Sequence, residues 1–480
     1  MRASVVEDVT SGEGRTPGSL RRFLGAPSMR GSTALGVFAV LLVVSISRSP
    51  YIFFHGRFWA EEANPFFRHM VTVPTPRNLF FVDQRVGYYY LFLNVASRTG
   101  GQVSLLRAPL VTSWLALAIV AAIVWIALRW PSTLLTTVGA RVSAATLLVV
   151  GTLAVPEVWA NSTNAQTYLT VLTILILFSD ATHLSRQQFV VSGFLLGVAG
   201  LSGLYTCVLL PLFAVIAYLE PSRRRATQAA IVATAAAIQF GCLIYSRTAG
   251  GLTASRMQVP QLRVTVHGFG AWHIGTFLIG SSAATHLYRK SFGLVGLSLL
   301  SMFAVTVLVL VGYLLVDTRR IRVAGLLAGA FVLEEVFVNW GGKGGGGSRY
   351  AVAPIAILTL AVICAATTAQ RRWTRHTAFL LIGVIIVAGL ANFWTTQPDE
   401  LRCIRCPDWS LQVHNYQTGI TNQLRIWPYG GKHPWTVTLP SHASVSSNSS
   451  PASAAVSRNA VELTRRIQMV EIRASTARRR

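Results

Sequence analysis

The feature that most limits what this chain can become is a recurrence of apolar runs of roughly span length between residues 33 and 395, separated by short turns that carry arginine. A helix rising 1.5 Å per residue needs about 20 residues to cross ~30 Å of hydrocarbon. In lipid, main-chain polar groups must be satisfied internally, which a helix does within itself. A charged fraction of 12% and a mean hydropathy of +0.50 exclude an ordinary soluble domain, where charged residues make up ~25%. The expected fold is an all-α polytopic membrane protein.

Arginine positions give the expected topology. Arg15, Arg21, Arg22 and Arg30 precede the first apolar run, placing the N-terminus in the cytoplasm by the positive-inside rule. No convincing signal-peptide cleavage pattern follows, so that run is expected to be retained as a span. Spans are expected at 33–50, 105–129, 143–160, 165–180, 226–246, 292–316, 323–339, 350–369 and 376–395. Two shorter ones divide 190–219 at a turn near LSGLY, because Arg186 and Arg223, Arg224 and Arg225 all belong on the cytoplasmic side. That makes about eleven transmembrane helices in the plasma membrane, with the C-terminus outside the cell.

Four regions follow. Residues 1–32 read as a disordered cytoplasmic tail and 33–395 as the transmembrane domain, with outer loops at 51–104 and 247–291. Residues 396–440 form a small extracytoplasmic segment with strand-like pieces QLRIWPYG and PWTVTLP, and 441–480 a Ser-rich, basic, disordered tail. Within the first loop Pro65, Pro74 and Pro76 break any long helix, so short helical pieces are expected, followed by an interfacial helix in the tyrosine-rich stretch 86–99.

The net charge of +25 is almost all arginine, with lysine only at Lys290, Lys343 and Lys432; nucleic acid is not an expected partner. Five cysteines are too few for a disulfide framework. Cys207, Cys242 and Cys364 lie in apolar runs as small hydrophobes, and Cys403 and Cys406 suit a local disulfide better than a zinc or redox centre.

Chemistry concentrates in the first outer loop, where Glu61 and Glu62 stand among aromatic and arginine residues in a chain with few acids elsewhere. A carboxylate at a low-dielectric boundary becomes a better proton acceptor near neutral pH unless a cation offsets the effect. Adjacent acids after FW equally suit the opening of a short helix, where negative charge complements the N-terminal dipole. Both readings stand at this point. Asp83 is a further acid in the loop.

An acidic pair just after the first span, then an aromatic YYYLFL stretch and some ten spans, resembles the GT-C class of polyprenyl-phosphate-sugar-dependent glycosyltransferases, which includes protein O-mannosyltransferases and lipid A aminoarabinose transferases. The SRYAVAPIAIL segment, with Arg349, Tyr350 and Pro354, is similar to the Arg-Tyr and proline pattern opening a late span in that class. The resemblance implies that Glu61 or Glu62 deprotonates the acceptor hydroxyl. It also implies a polyprenyl-phosphate-linked sugar as donor and a glycan, lipid or protein as acceptor; in some members the pair helps hold a divalent cation. Glu-Glu replaces the commoner pairs containing Asp, which leaves metal and choice of base open.

A lipid-phosphate donor calls for cations at the membrane surface, and the guanidinium fork suits phosphate oxygens. Arg57, Arg85 and Arg349 are the candidates, with Lys343 in the GGKGGGGSR loop, which lacks Walker spacing and reads as a hinge. Glu157, Asn161 and Asn164 form a polar outer turn suited to sugar hydroxyls or, as readily, to helix-turn hydrogen bonds. Glu334 and Glu335 lie within a span and are expected to face the bundle or a cavity. The alternatives are a membrane transporter or lipid flippase, and a non-catalytic scaffold.

Overall fold

The computed structural model describes residues 29–73, 76–151, 158–251, 262–291, 293–341, 348–394, 408–427 and 435–441. The two tails, apart from a few residues at their inner edges, and the CxxC pair lie outside them.

The apolar runs are helical. α1 spans Gly31–Ser47, α2 Leu91–Gly100, α3 Ala108–Arg129, α4 Val138–Val150, α5 Ala165–Leu177 and α6 Arg186–Gly200. After a one-turn piece Tyr205–Val208 come α7 Leu210–Leu219, α8 Arg223–Thr248, α9 Leu294–Val316, α10 Ile321–Gly341, α11 Val352–Thr368 and α12 Arg372–Ala391. Every stretch read as a span carries helix. Among the described residues, four helices (α3, α8, α9 and α12) are long and apolar enough to cross a membrane by themselves, while α1, α4, α5, α7 and α11 are shorter apolar helices. This is a predominantly helical membrane protein.

Two helices show how the bundle sorts its residues. Val352 through Ala366 of α11 are all buried, so a helix apolar all round serves as the central post. α9 is just as apolar but buries only a stripe containing Leu300, Ala304, Val307 and Val311; Leu294, Leu299, Met302, Val305 and Val309 are exposed. Spacing of three to four residues puts that stripe on one face, and the rest is a surface suited to lipid.

The stretch 190–219 breaks at 201–204, where Gly203 takes φ +132. Helix α6 begins on a Ser185–Gln188 capping box, and α7 begins with Pro211 in its first turn, where a missing N–H costs nothing.

The arginines that read as topology markers also tie off helix ends. Arg129 donates to Met29 O at 2.9 Å, Arg141 to Trp130 O at 2.6 Å, Arg224 to Leu184 O at 2.6 Å and Arg225 to Ser179 O at 2.7 Å. Arg320 reaches Thr133 O, and Arg371 N–H reaches the Asp317 carboxylate at 2.9 Å. Two of these acceptors, the Trp130 and Ser179 carbonyls, lie at or just past helix C-termini, where carbonyls lack intrahelical partners and favour cations. Turns near residues 30, 130, 180, 220, 318 and 370 therefore share one end of the bundle.

The first loop occupies the other end as short pieces, Pro50–Phe54, Ala60–Glu62, Ala63–Phe67, Arg68–Thr72 and Arg77–Phe80, followed by α2. Segment 247–291 also holds helices, Leu262–Gly268, Phe269–Gly275 and Thr276–Ile279, then Ser281–Lys290 after a break at Gly280. The strand-like pieces near the C-terminus are strands. β1 Gln423–Arg425 pairs antiparallel with β2 Thr436–Thr438, Leu424 opposite Val437, behind a helix Trp409–Gln417 capped by Asp408. This unit packs on the first loop: Phe58, Ala63 and Phe67 share one apolar cluster with Trp409, Val413, Leu424, Ile426, Val437 and Leu439.

A candidate active site in the first loop

The chain enters the site through Gly56, whose φ of +72 and closeness to Leu110 leave little room for a side chain. Trp59 is extended, and Ala60 then adopts φ +41, a left-handed conformation that costs a non-glycine residue about 1–2 kcal/mol. That turn starts the single 3-10 turn Ala60–Glu62 and sends the two acids in different directions.

Glu62 is turned inward and is 1% exposed. Its Oε2 accepts from Trp59 N–H at 2.8 Å, and its Oε1 accepts from the Ser162 hydroxyl at 2.8 Å and from Ser162 N–H. Burial pushes its carboxyl above the ordinary value, against the pull of these donors and of Arg57. Glu61 is only half-buried, and its carboxylate has no hydrogen-bond partner among the described residues. The two readings of the acid pair thus divide between its members: Glu62 caps a turn, and Glu61 is left able to meet a substrate.

Cations and aromatics surround the pair. Arg57 is buried with its guanidinium over the rings of Trp59 at 4.6 Å and Trp427 at 5.5 Å. Asp83 holds Arg85 by Nε at 3.0 Å and Nη2 at 2.8 Å, so its carboxylate is already engaged. The Arg85 side chain remains 60% exposed. Its hydrogen bond to Asp83 raises it above its usual value, with smaller contributions from the charges of Asp83 and Glu61, so Glu61 lies within electrostatic reach. Tyr90, leading into α2, donates to Thr163 O at 2.5 Å and accepts from Gln166 N–H at 2.9 Å, joining the start of α5 to the loop.

The structure brings Arg57, Glu61, Glu62, Asp83 and Arg85 together with the turn containing Asn161. The Asn161 side chain accepts from Asn164 N–H at 2.8 Å, the local turn bond, and the neighbouring Ser162 is what reaches the acid pair. Asn164 is buried at the start of α5. Tyr350 sits in the 3-10 piece Ser348–Ala351, away in the sequence from the loop and packed near Phe269–Gly275. Glu157, Lys343 and the Arg349 side chain lie outside the described residues.

Sequence reasoning missed Ser162, Tyr90 and Trp427. Ser162 sits inside the polar stretch NSTN, but nothing local says which of its hydroxyls points at an acid a hundred residues earlier. It also missed Arg48 at the end of α1, buried between Trp159 at 5.2 Å and Phe393 at 5.1 Å.

A divalent cation fits these residues poorly. Both Glu62 oxygens already accept from N–H or O–H donors, and among the described residues no three His, Cys, Asp or Glu side chains converge. A second acidic pair lies in α10. There Glu335 meets His273 Nδ1 at 2.6 Å, and Glu334 is fully buried with neither carboxyl oxygen hydrogen-bonded among the described residues.

No protein-family model and no curated protein matches the sequence. Among solved structures, the chain is similar to the cryo-EM structure of the arabinofuranosyltransferase AftD from mycobacteria, with 15% identity and a TM-score of 0.46. That match covers 78% of this chain and 27% of the other.

Proposed function

We propose that the protein is an integral-membrane glycosyltransferase of the GT-C type, moving a sugar from a polyprenyl-phosphate donor to an acceptor outside the cytoplasm, with inversion. The observation that carries this is the division of labour in the acid pair. Glu62, closed in by Trp59 and Ser162, anchors the turn; Glu61, half-buried and without a hydrogen bond among the described residues, is the base. Geometry outranks acidity here, because a base must reach its proton before its strength matters.

In the proposed reaction the acceptor hydroxyl gives its proton to Glu61 as its oxygen bonds to the anomeric carbon. The bond from that carbon to the phosphate oxygen breaks on the opposite face, and the phosphate leaves with the electron pair. Charge builds on the phosphate, where a pre-oriented cation is most useful. Arg85, splayed by Asp83 and still exposed, suits that task, and Arg57 adds positive potential from its aromatic sandwich. Lys343, Arg349 and Tyr350 are proposed to complete the donor site, and Glu157, Asn161 and Asn164 the sugar side. The same reading puts the site, and the C-terminus, on the extracytoplasmic face of the plasma membrane.

The experiment is transfer of labelled sugar from purified polyprenyl-phosphate donors by wild type, Glu61→Gln and Glu62→Gln, with folding followed by thermal unfolding in detergent. Transfer by Glu61→Gln at the wild-type rate removes the base. One observation favours the alternative of a transporter or lipid flippase: the buried Glu334, Glu335 and His273 inside the helices. Flux across proteoliposomes that is lost in Glu334→Gln, with no sugar transfer by wild type, would establish that alternative.

A further inference from the structure

The C-terminal unit is bonded to the residues that lead into and out of the acid pair. Trp427 lies beside Trp59 as a parallel bridge. Its N–H donates to Phe58 O at 3.0 Å, and its carbonyl accepts from Ala60 N–H at 2.5 Å. The acceptor for the left-handed residue that precedes Glu61 is therefore supplied by a residue more than 360 positions later in the chain. The Trp427 ring forms one face of the sandwich around Arg57.

On the far side of the pair, Asn64 Nδ2 donates to Thr436 O at 3.0 Å. Below it, Trp409 packs edge-on against Phe58 at 5.3 Å and donates from Nε1 to Leu105 O at 3.1 Å. Residues 57–60 and 64 are thus tied to the C-terminal unit, while Glu61 between them is not. A unit whose only task was to cover apolar surface needs the Phe58, Phe67 and Trp409 contacts but not main-chain pairing to the strained residue next to the base.

Resting on the reading of Glu61 as the base, we propose that residues 408–427 and 435–441 belong to the transfer site. Trp427 is its positioning residue: its buried ring holds the Arg57 guanidinium and seats the segment whose main chain pairs with Phe58 and Ala60. Displacing a reacting group by about 1 Å costs on the order of a hundredfold in rate, so such a clamp acts on turnover more than on binding.

The test uses the full chain in nanodiscs, with a labelled polyprenyl-phosphate pentose and hexose as donor probes. Trp427→Ala is expected to lower kcat about 30- to 100-fold per folded molecule while donor KM stays within about threefold. Trp427→Phe, which keeps a ring over Arg57, is expected to recover most of the rate. Asn64→Ala, which opens the second tie, is expected to lower kcat to a smaller extent. Hydrogen exchange of the 57–64 peptide is expected to rise in Trp427→Ala and Asn64→Ala. If Trp427→Ala lowers the folded fraction yet keeps the wild-type kcat per folded molecule, or raises KM alone, the positioning role is overturned while the assignment of Glu61 survives. If Glu61→Gln transfers at the wild-type rate, or wild type transfers from neither probe, the underlying reading falls and this proposal falls with it.

Discussion

The chain contains two Glu-Glu pairs, and they are built in parallel. In the loop, Glu62 is bonded by Trp59 and Ser162 while its neighbour Glu61 has no hydrogen-bond partner among the described residues; in α10, Glu335 is bonded by His273 while its neighbour Glu334 has none. They differ in access. Glu61 is half-buried beside an exposed Arg85, whereas Glu334 is sealed among helices. An unbonded acid is a reactive group only where a substrate can reach it; enclosed in a bundle, it adds a desolvation cost. This is why the loop pair is read as the site and the helix pair as structural.

The strongest way to break that contrast is Glu61→Gln. Removing a general base typically costs 10²- to 10⁴-fold, so sugar transfer is expected to fall by about that much while the unfolding midpoint hardly moves. A large loss of stability instead would make Glu61 a structural residue like its neighbour.

His273→Ala tests the other pair. Removing His273 takes a close hydrogen-bond partner from the buried Glu335 carboxyl, at a cost of about 1–3 kcal/mol, so unfolding in detergent is expected at a lower denaturant level. Transfer per folded molecule is expected to stay near wild type.

Glu62→Gln is expected to destabilise by about 1–3 kcal/mol, since an amide group replaces one acceptor oxygen where donors converge. Its pH dependence sharpens the assignment. Burial holds the Glu62 carboxyl above its ordinary value of 4.5. The folded state therefore grips the proton more tightly than the unfolded chain, and the stabilisation is complete below the unfolded value and lost as pH rises through the folded one. Glutamine does not titrate at this position. The stability gap between wild type and variant is expected to shrink as pH rises from the acid side, measured as unfolding free energies across a pH series.

The smallest effect is expected for Glu334→Gln. It keeps the shape and removes a carboxyl that is buried without a hydrogen-bond partner among the described residues, so stability is expected to change by less than ~1 kcal/mol, or to rise, with transfer unaltered. Abolished transfer would move the chemistry into the bundle.

Much of this architecture is legible locally. Apolar runs bounded by arginine become helices, Pro65 follows a kink at Asn64 and Pro76 precedes the piece Arg77–Phe80, the LSGLY turn splits 190–219, and alternating QLR and TVT become paired strands. Each of these depends on neighbours within a few positions. Less legible was what the arginines do: a sequence rule reads them by sidedness, while the fold uses several of them to cap helix carbonyls.

The sequence by itself determined the membrane class, the helices, and the residues from which a site could be assembled, because periodicity and hydropathy act over one or two turns of chain. Only the tertiary structure decided that Ser162 would bind Glu62 and not Glu61, that His273 would meet Glu335, and that Trp427 would close over Arg57. Those pairings join residues from about 60 to 370 positions apart. Their partners are chosen by the packing of whole helices and by the need to satisfy buried polar groups, and no local pattern carries that information.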